Sequence, residues 1–224
     1  MPVRLVELMR ISPLGVIGTF SAGIVNGAFW GMAPVFGQRL SFEEAQIALL
    51  MSATILGGAT LQWPIGHLSD RFDRRTVLVI TSFATAAIAA AAAYTVIKGV
   101  PGMAVTSFVY GGLMFSLYGI SVAHANDQLV QEQVLGATQG LLLVYGLGAI
   151  MGPLLGGIAM QGMGPAGLPV MSVAAAGLLG LYGLYRMTRR AAPPVEEHTG
   201  FVPLVRTSPV ALEMHPVVDP STHP

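Results

Sequence analysis

The chain has 224 residues, of which 53% are apolar and only 10% are charged, and its mean hydropathy is +0.67. Soluble domains contain about 25% charged residues, so this composition argues against a soluble enzyme, a nucleic-acid-binding protein and a disordered chain. The net charge is zero and Cys is absent. The absence of Cys excludes disulfides, thiolate metal sites and a cysteine nucleophile.

Long stretches without a charged residue mark the membrane spans. They separate these pairs of charges: Arg10 and Arg39, Glu44 and Asp70, Arg75 and Lys98, Lys98 and Asp127, and Glu132 and Arg186. A membrane-spanning helix needs about 20 apolar residues, so each of the first four stretches predicts one helix. The fifth is long enough for two, and its Gly162–Gly167 segment supplies a turn. We therefore predict an all-α membrane protein with six transmembrane helices, over residues 12–37, 45–66, 76–97, 102–125, 135–160 and 168–186.

The segments outside the spans predict the orientation of the chain. Residues 1–10 form an N-terminal segment, and the Pro-rich residues 191–224 form a disordered tail. Six spans place both termini on one side of the membrane. That side carries Arg4, Arg10, Arg71, Arg74, Arg75, Arg186, Arg189, Arg190 and Arg206. Only Arg39 and Lys98 fall on the other side. The positive-inside rule therefore predicts cytoplasmic termini, and we expect a protein of a bacterial plasma membrane.

The segment between the second and third spans reads Gly-His-Leu-Ser-Asp-Arg-Phe-Asp-Arg-Arg over residues 66–75. One interpretation is a positive-inside anchor with solvated counter-charges. The other is a latch that helices make and break. In the latch, Gly66 lets the second helix end closely against a neighbour, and Asp70 accepts hydrogen bonds from a helix N-terminus or pairs with Arg. Arg74 then reaches an acceptor at the cytoplasmic end of another span, for which Asp127 is the candidate.

The fifth span contains a stripe of small residues. Gly148, Gly152 and Gly156 are four residues apart and therefore share one helix face, with Gly157 beside them. Pro153 removes a hydrogen-bond donor and frees the carbonyl of residue 149, which is expected to bend the helix. The stripe is interpreted either as a packing groove or as a moving pivot.

These two segments resemble motifs of the major facilitator superfamily. The signature loop of that family is Gly-x-Leu-small-Asp-Arg-x-Gly-Arg-Arg. This chain matches it at Gly66, Leu68, Ser69, Asp70, Arg71, Arg74 and Arg75, with Asp73 in place of the second Gly. The segment 148–157 is similar to the Gly-Pro motif of the family's fifth helix. The resemblance implies that the loop stabilises one access state and that the Gly-Pro motif acts as a close-packed pivot or seal.

The resemblance covers roughly residues 10–190. Segments 12–15, 62–66 and 123–127 resemble the second six-helix half of sugar- and drug-permease-like members, in the YcaD-like branch. The superfamily has about twelve helices in two repeats, so this chain corresponds to one repeat.

Polar and aromatic residues within the spans are candidates for a substrate cavity, because polar groups are costly in lipid. The candidates are Asn26, Trp30, Gln62, His124, Asn126, Asp127 and Tyr145. Other interpretations stay open: an interhelical hydrogen bond for Asn26, an interfacial anchor for Trp30, and a structural hydrogen bond rather than proton transfer for His124. In the resembled fold the first and fourth helices line the cavity, which favours Asn26, Trp30 and His124.

The sequence contains no catalytic, phosphate-binding or metal-binding motif, so we expect neither an enzyme nor a cofactor. We expect a secondary transporter that moves a small solute by alternating access, as one half of a twelve-helix unit. The alternative is a non-transporting membrane protein or an inactive fragment of a longer transporter. The expected partners are the lipid bilayer, a small-molecule substrate, and a second six-helix half or a second copy of the chain, but no nucleic acid.

Overall fold

The computed structural model describes residues 5–98 and 103–189, and the regular elements of this part of the chain are all helices. A short helix, α1 (Leu5–Ile11), comes first. Six long helices follow it: α2 (Pro13–Arg39), α3 (Glu44–Arg71), α4 (Arg74–Lys98), α5 (Met103–Asn126), α6 (Gln131–Met163) and α7 (Gly167–Arg189). The predicted all-α fold class is confirmed. The predicted Pro-rich tail, residues 191–224, lies outside the described residues.

The hydropathy of these helices suits a membrane. Five helical stretches are long and apolar enough to cross a bilayer, and the first four correspond to α2, α3, α4 and α5. The fifth stretch, Gln131–Arg189, is 59 residues long, far more than the roughly 20 residues that one crossing needs. It contains α6 and α7, which are joined by a 3-10 turn over Gly164–Ala166 and pack against each other. Gly164 makes this reversal possible because its φ of +65° and ψ of −158° together lie in a region that essentially only glycine adopts.

The six long helices form a row of four backed by a layer of two. Along the row, α3 packs on α5, α5 on α2, and α2 on α6. Behind the row, α4 packs on α5 and α7, and α7 packs on α2 and α6. As a result, α2 and α5 are among the more buried helices, whereas α3 is the most exposed. The front of the row is therefore the accessible face of α2 and α5.

The two ends of the bundle differ in charge. We call the end where α3 stops and α4 starts the basic end, because it carries Arg71, Arg74 and Arg75. The segment predicted over residues 1–10 includes α1 at this end, because the side chain of Leu8 is fully buried in an apolar cluster with α6. At the opposite end, the far end, Arg39 Nη1 donates a hydrogen bond of 2.7 Å to the Met160 carbonyl. That contact joins the last turns of α2 and α6.

A small apolar cavity lies toward the far end, between α2, α3, α4, α5 and α7. Its volume is about 60 Å³, and Phe29, Leu50 and Leu168 form part of its wall. The hydroxyl of Tyr110 donates a hydrogen bond of 2.9 Å to Ser172 Oγ on the same wall, which joins α5 to α7.

Candidate functional site

The charged segment 66–75 is mostly helical, which corrects the interpretation of this stretch as a loop. Gly66 is buried within α3, so the helix does not end there but continues to Arg71. Only Phe72 and Asp73 separate α3 from α4. The extension is favourable because Arg71 lies in the last turn of α3, where a cation stabilises the helix dipole.

Asp73 gives the following helix its start. Its Oδ1 accepts a hydrogen bond of 3.0 Å from the backbone N–H of Arg75, the geometry of a carboxylate at a helix N-cap. Its Oδ2 lies 3.4 Å from the Thr76 hydroxyl, which donates to it. These two hydrogen bonds give a structural reason for Asp73, which replaces the second Gly of the motif. This role in starting α4 was not predicted from the sequence.

The guanidinium of Arg74 joins three helices at the basic end. Its Nη2 lies 3.0 Å from Asp70 Oδ1 in the last turn of α3, and its Nε lies 2.8 Å from Asp127 Oδ2, one residue beyond the end of α5. The Arg74 side chain is 1% exposed, that of Asp127 3% and that of Asp70 29%. The structure therefore brings together the three residues that the latch interpretation requires. Arg75 is also buried here, whereas Arg71 is exposed.

Burial makes the Arg74–Asp127 pair more consequential than a surface ion pair. Surface pairs stabilise a fold by about 0–1 kcal/mol. Removing one partner of a buried pair costs about 3–5 kcal/mol, because the other charge remains buried without compensation. The Arg74–Asp70 pair is more open to solvent, so its contribution to folding is smaller.

His124 lies next to this charge network in a set of polar contacts. Gln128 Nε2 lies 3.1 Å from His124 Nε2 and 3.1 Å from the Ser12 hydroxyl oxygen. These contacts tie the end of α5 to the start of α2. They are compatible with the structural interpretation of His124, and a role in proton transfer stays a prediction. Asn126 is half-buried in the last turn of α5.

The glycine stripe of α6 lies against α2 at main-chain distance. A Cβ on Gly152 would lie 2.5 Å from the Ala28 nitrogen and would collide with the Ile24 carbonyl. A Cβ on Gly148 would collide with the Phe20 carbonyl. At these two positions no residue larger than glycine fits without a shift of the backbone.

Helix α2 contributes glycines of its own to this crossing. A Cβ on Gly23 or on Gly27 would collide with a carbonyl of α6, and one on Gly31 would lie 2.7 Å from Pro153 Cγ. The carbonyl that faces Gly27 is that of Ala149, which Pro153 leaves without its helical donor. These α2 glycines were not identified from the sequence, although their spacing of four residues is the same signal that identified the stripe on α6.

The last two members of the stripe have more room. A Cβ on Gly156 would approach Leu168 Cδ1 at 2.9 Å, and one on Gly157 would meet only Met32 Cε, at 3.6 Å. Both neighbours are ends of flexible side chains. The close main-chain approach is therefore confined to Gly148 and Gly152, and the choice between packing groove and pivot stays open.

The residues predicted to line a cavity do not share one environment. Asn26 is 1% exposed, and its Nδ2 donates to the Ala22 carbonyl at 2.8 Å and to the Met114 carbonyl of α5 at 3.3 Å. This is the interhelical hydrogen bond that the sequence left open, and it places Asn26 inside the bundle rather than on the accessible face. Gln62 is half-buried on α3, and Asp127 belongs to the charge network.

Trp30 and Tyr145 each belong to a pair of half-buried rings, and the two pairs are neighbours along α5. Trp30 of α2 lies 6.2 Å from Phe115 of α5, centroid to centroid, and Tyr118 of α5 lies 4.7 Å from Tyr145 of α6. Phe115 and Tyr118 are three residues apart and therefore neighbours on α5. We call these four residues the aromatic patch. Phe115 and Tyr118 were not identified from the sequence, because an aromatic residue in an apolar span carries no signal of its own.

Metal-binding side chains do not gather in the part of the chain that the structure describes: no group of three or more His, Asp or Glu there could hold an ion.

Comparisons with known proteins agree with the motifs. The family model described as Major Facilitator Superfamily matches residues 15–217. The chain is 30% identical over 187 residues to the uncharacterized MFS-type transporter YcaD of Escherichia fergusonii and to that of Shigella flexneri. An uncharacterized MFS-type transporter of Enterobacter sp. is equally similar. Each match covers 84% of this chain and 47% of the relative, so the chain spans about half the length of these curated relatives. No solved structure matches.

Proposed function

The chain belongs to the major facilitator superfamily, and from that premise we propose that it transports a small solute by alternating access, as one half of a twelve-helix unit. It is an integral membrane protein of a transporter family, and its family points to a non-enzymatic role. The coupling mechanism and the pairing with a second half are the proposed parts. The observation that carries the proposal is the Arg74 network at the basic end.

The Arg74 network has the properties of a breakable link between helices. It joins α3, α4 and α5 through one guanidinium and two carboxylates, next to the polar contacts of His124 and Gln128. An ion pair has two well-defined states, made and broken. Movement of α5 against α4 would separate Arg74 from Asp127 and admit water to both groups. We assign the made state to the conformation that is closed at the basic end.

Orientation follows from the charges at the two ends. The basic end carries Arg71, Arg74 and Arg75, and Arg186 and Arg189 lie in the last turn of α7 at the same end. Arg39 lies at the far end. By the positive-inside rule the basic end faces the cytoplasm. Since the relatives come from enterobacteria, we place the protein in a bacterial inner membrane.

The apolar edges of the row support a partner in the membrane. Leu56 on α3 is 57% exposed, and Leu143 and Ile150 on α6 are 72% and 67% exposed. In the proposed assembly, these two edge helices meet a second six-helix unit, and the front of the row faces the substrate pathway. The second unit is either a separate protein or a parallel copy of this chain, since an even number of spans lets both copies insert alike.

Assembly is tested by native mass measurement and chemical crosslinking of the purified chain in mild detergent. A dimer, or a complex with a co-purified protein of similar span number, is the expected result. A strict monomer that still catalyses solute uptake would refute the half-transporter proposal. A strict monomer without uptake would support the inactive-fragment alternative.

Alternating access is tested with single cysteines, because the chain has none of its own. Leu68 and Leu49 lie near opposite ends of α3 and are 48% and 58% exposed. A membrane-impermeant thiol reagent reports access to Leu68→Cys and to Leu49→Cys in separate proteins. Adding Asp70→Asn should raise the labelling rate at position 68 and lower it at position 49. Parallel changes at both positions would indicate general loosening, and unchanged rates would contradict the latch.

A further inference from the structure

The aromatic patch formed by Trp30, Phe115, Tyr118 and Tyr145 lies where α2, α5 and α6 meet along the row. In the part of the chain that the structure describes, α4 and α7 cover the back of the row and no helix covers its front, so the front is the side on which these half-buried rings can meet a solute. All four residues lie well inside their helices, away from the ends. They therefore present aromatic surface to the accessible face near mid-depth.

The rings are mutually inclined rather than stacked. The planes of Trp30 and Phe115 make an angle of 45°, and those of Tyr118 and Tyr145 make an angle of 64°. A flat solute can stack on one such ring at a time. A compact, rounded group can touch several of them, as in the aromatic cages that bind quaternary ammonium ions.

The charges near the patch also favour a cation of this kind. The charge-free stretches that contain these residues run from Arg10 to Arg39, from Lys98 to Asp127 and from Glu132 to Arg186. No Lys or Arg lies at this depth to repel a cation. No Asp or Glu lies there either, so a strongly hydrated ammonium or metal ion would find no carboxylate to replace its water. A quaternary ammonium is weakly hydrated and is attracted by the ring faces instead.

We propose that the aromatic patch binds the quaternary ammonium group of a small solute. This inference rests on the proposed transport function, for which it supplies the substrate class. The four rings contact the alkyl groups around the charged nitrogen, and the negative potential of the ring faces stabilises the charge. All four rings belong to this chain, so the purified chain should bind the cation without a second six-helix unit.

The two tryptophans of the chain permit a direct binding test. Trp63 is 67% exposed on α3 and does not belong to the patch, so Trp63→Phe leaves Trp30 as the only indole. Choline is titrated into this variant in an uncharged maltoside detergent at constant ionic strength, and the indole emission is recorded. The matched probe is 3,3-dimethyl-1-butanol, which has the shape of choline without its charge. The matched protein is Trp30→Phe, which reports from Trp63.

Saturable change of the Trp30 emission with choline is the expected result, with an affinity at least tenfold higher than for the neutral alcohol. The Trp30→Phe protein should give no saturable signal. Tyr118→Leu in the Trp63→Phe background keeps an apolar side chain but removes a ring, and should weaken choline binding by about 2- to 30-fold. Its elution volume and circular dichroism serve to establish that it is folded.

Equal affinities for choline and the alcohol would overturn the proposal in favour of a merely apolar surface. A linear, unsaturable signal with choline would also overturn it. Neither result bears on the transport function itself, which the cysteine-labelling experiment tests without any ligand. Conversely, the chain could bind choline while Asp70→Asn fails to change the labelling rates at positions 68 and 49 in opposite directions. That result would support the binding site and refute alternating access.

Discussion

Two interfaces in this bundle hold helices together by opposite means. At the basic end, α3, α4 and α5 are joined by Arg74 and its two carboxylate partners, with distances of 3.0 and 2.8 Å. Along the row, α2 and α6 meet main chain to main chain, through Gly23 and Gly27 on one side and Gly148 and Gly152 on the other. The first interface consists of a few strong, directional contacts. The second consists of many weak, short-range contacts.

Of the two interfaces, the ion-paired one is suited to switching. An ion pair tolerates separation when water enters to solvate both charges, so the basic end has two acceptable states. The glycine crossing gains its stability from dispersion and weak Cα–H···O contacts, and a gap of about 0.5–1 Å already removes about a quarter to a half of the dispersion energy of each contact. We therefore expect α2 and α6 to move as one unit, and α5 to move against α4. Four substitutions test this contrast, in order of decreasing effect on stability.

Replacing Arg74 with Met should have the largest effect. Asp127, whose side chain is 3% exposed, would lose its 2.8 Å ion pair with Arg74, and breaking a buried pair costs about 3–5 kcal/mol. The thermal midpoint in detergent should fall sharply, or the yield of folded protein should collapse. Arg71→Met is the control, because Arg71 is exposed.

The double variant Arg74→Met/Asp127→Leu removes both charges of the buried pair. It should recover stability, but it should not restore the opposite changes in cysteine labelling at positions 68 and 49. Full stability of the single variant would show that the network does not hold the basic end.

Gly152→Leu should have the next largest effect. The new side chain would collide with the Ile24 carbonyl and the Ala28 nitrogen of α2, and overpacking of this kind costs about 1–3 kcal/mol. The measurement is the thermal midpoint, together with the labelling rates described above. Gly146→Leu is the matched control, because a Cβ at Gly146 meets nothing within 4 Å. A stable, fully active Gly152→Leu protein is incompatible with a tight crossing.

Asp70→Asn should change stability by no more than about 1 kcal/mol, since its side chain is 29% exposed and water can take over much of its role. The effect on conformational exchange should be larger than the effect on stability. If a transported solute is found, the rate of transport should fall more than the affinity for the solute. A variant with normal expression and an unchanged rate would remove Asp70 from the latch.

Gly157→Ala should have the smallest effect. Its Cβ would lie 3.6 Å from Met32 Cε, an ordinary contact, and Ala favours a helix over Gly by up to about 1 kcal/mol. We expect an unchanged or slightly raised thermal midpoint. Gly148→Ala, in which the Cβ collides with the Phe20 carbonyl, should lower it. A similar loss in both variants would mean that the whole stripe is tightly packed.

The charges of this sequence predicted more of the structure than its apolar residues did. The charge-free stretches indicated the helices, and Asp127 was identifiable as a partner for Arg74 because it closes such a stretch at the basic end. The extent of α3 was not predicted, because a charged segment was taken to be a loop. In fact, the positive charge of Arg71 favours the end of α3, and the carboxylate of Asp73 favours the start of α4.

The aromatic patch and the placement of Asn26 could not be read from the sequence. Whether a residue in an apolar span faces lipid, a neighbouring helix or a cavity depends on how the helices pack, and periodicity is weak when every face is apolar. Asn26 bonds Met114, a residue 88 positions away. Only the packing of α2 on α5 brings these two together.

The short connection between α3 and α4 has a mechanical consequence. Helix α3 has 28 residues and is therefore about 42 Å long, and it turns about an elbow made of Phe72 and Asp73 alone. A tilt of about 5° at this elbow carries the opposite tip of α3 through about 4 Å. Asp70, two residues before Phe72, shifts by less than about 0.5 Å in the same tilt. The tip of α3 at the far end therefore moves much more than Asp70 does. The far end can open while the Asp70–Arg74 ion pair stays intact.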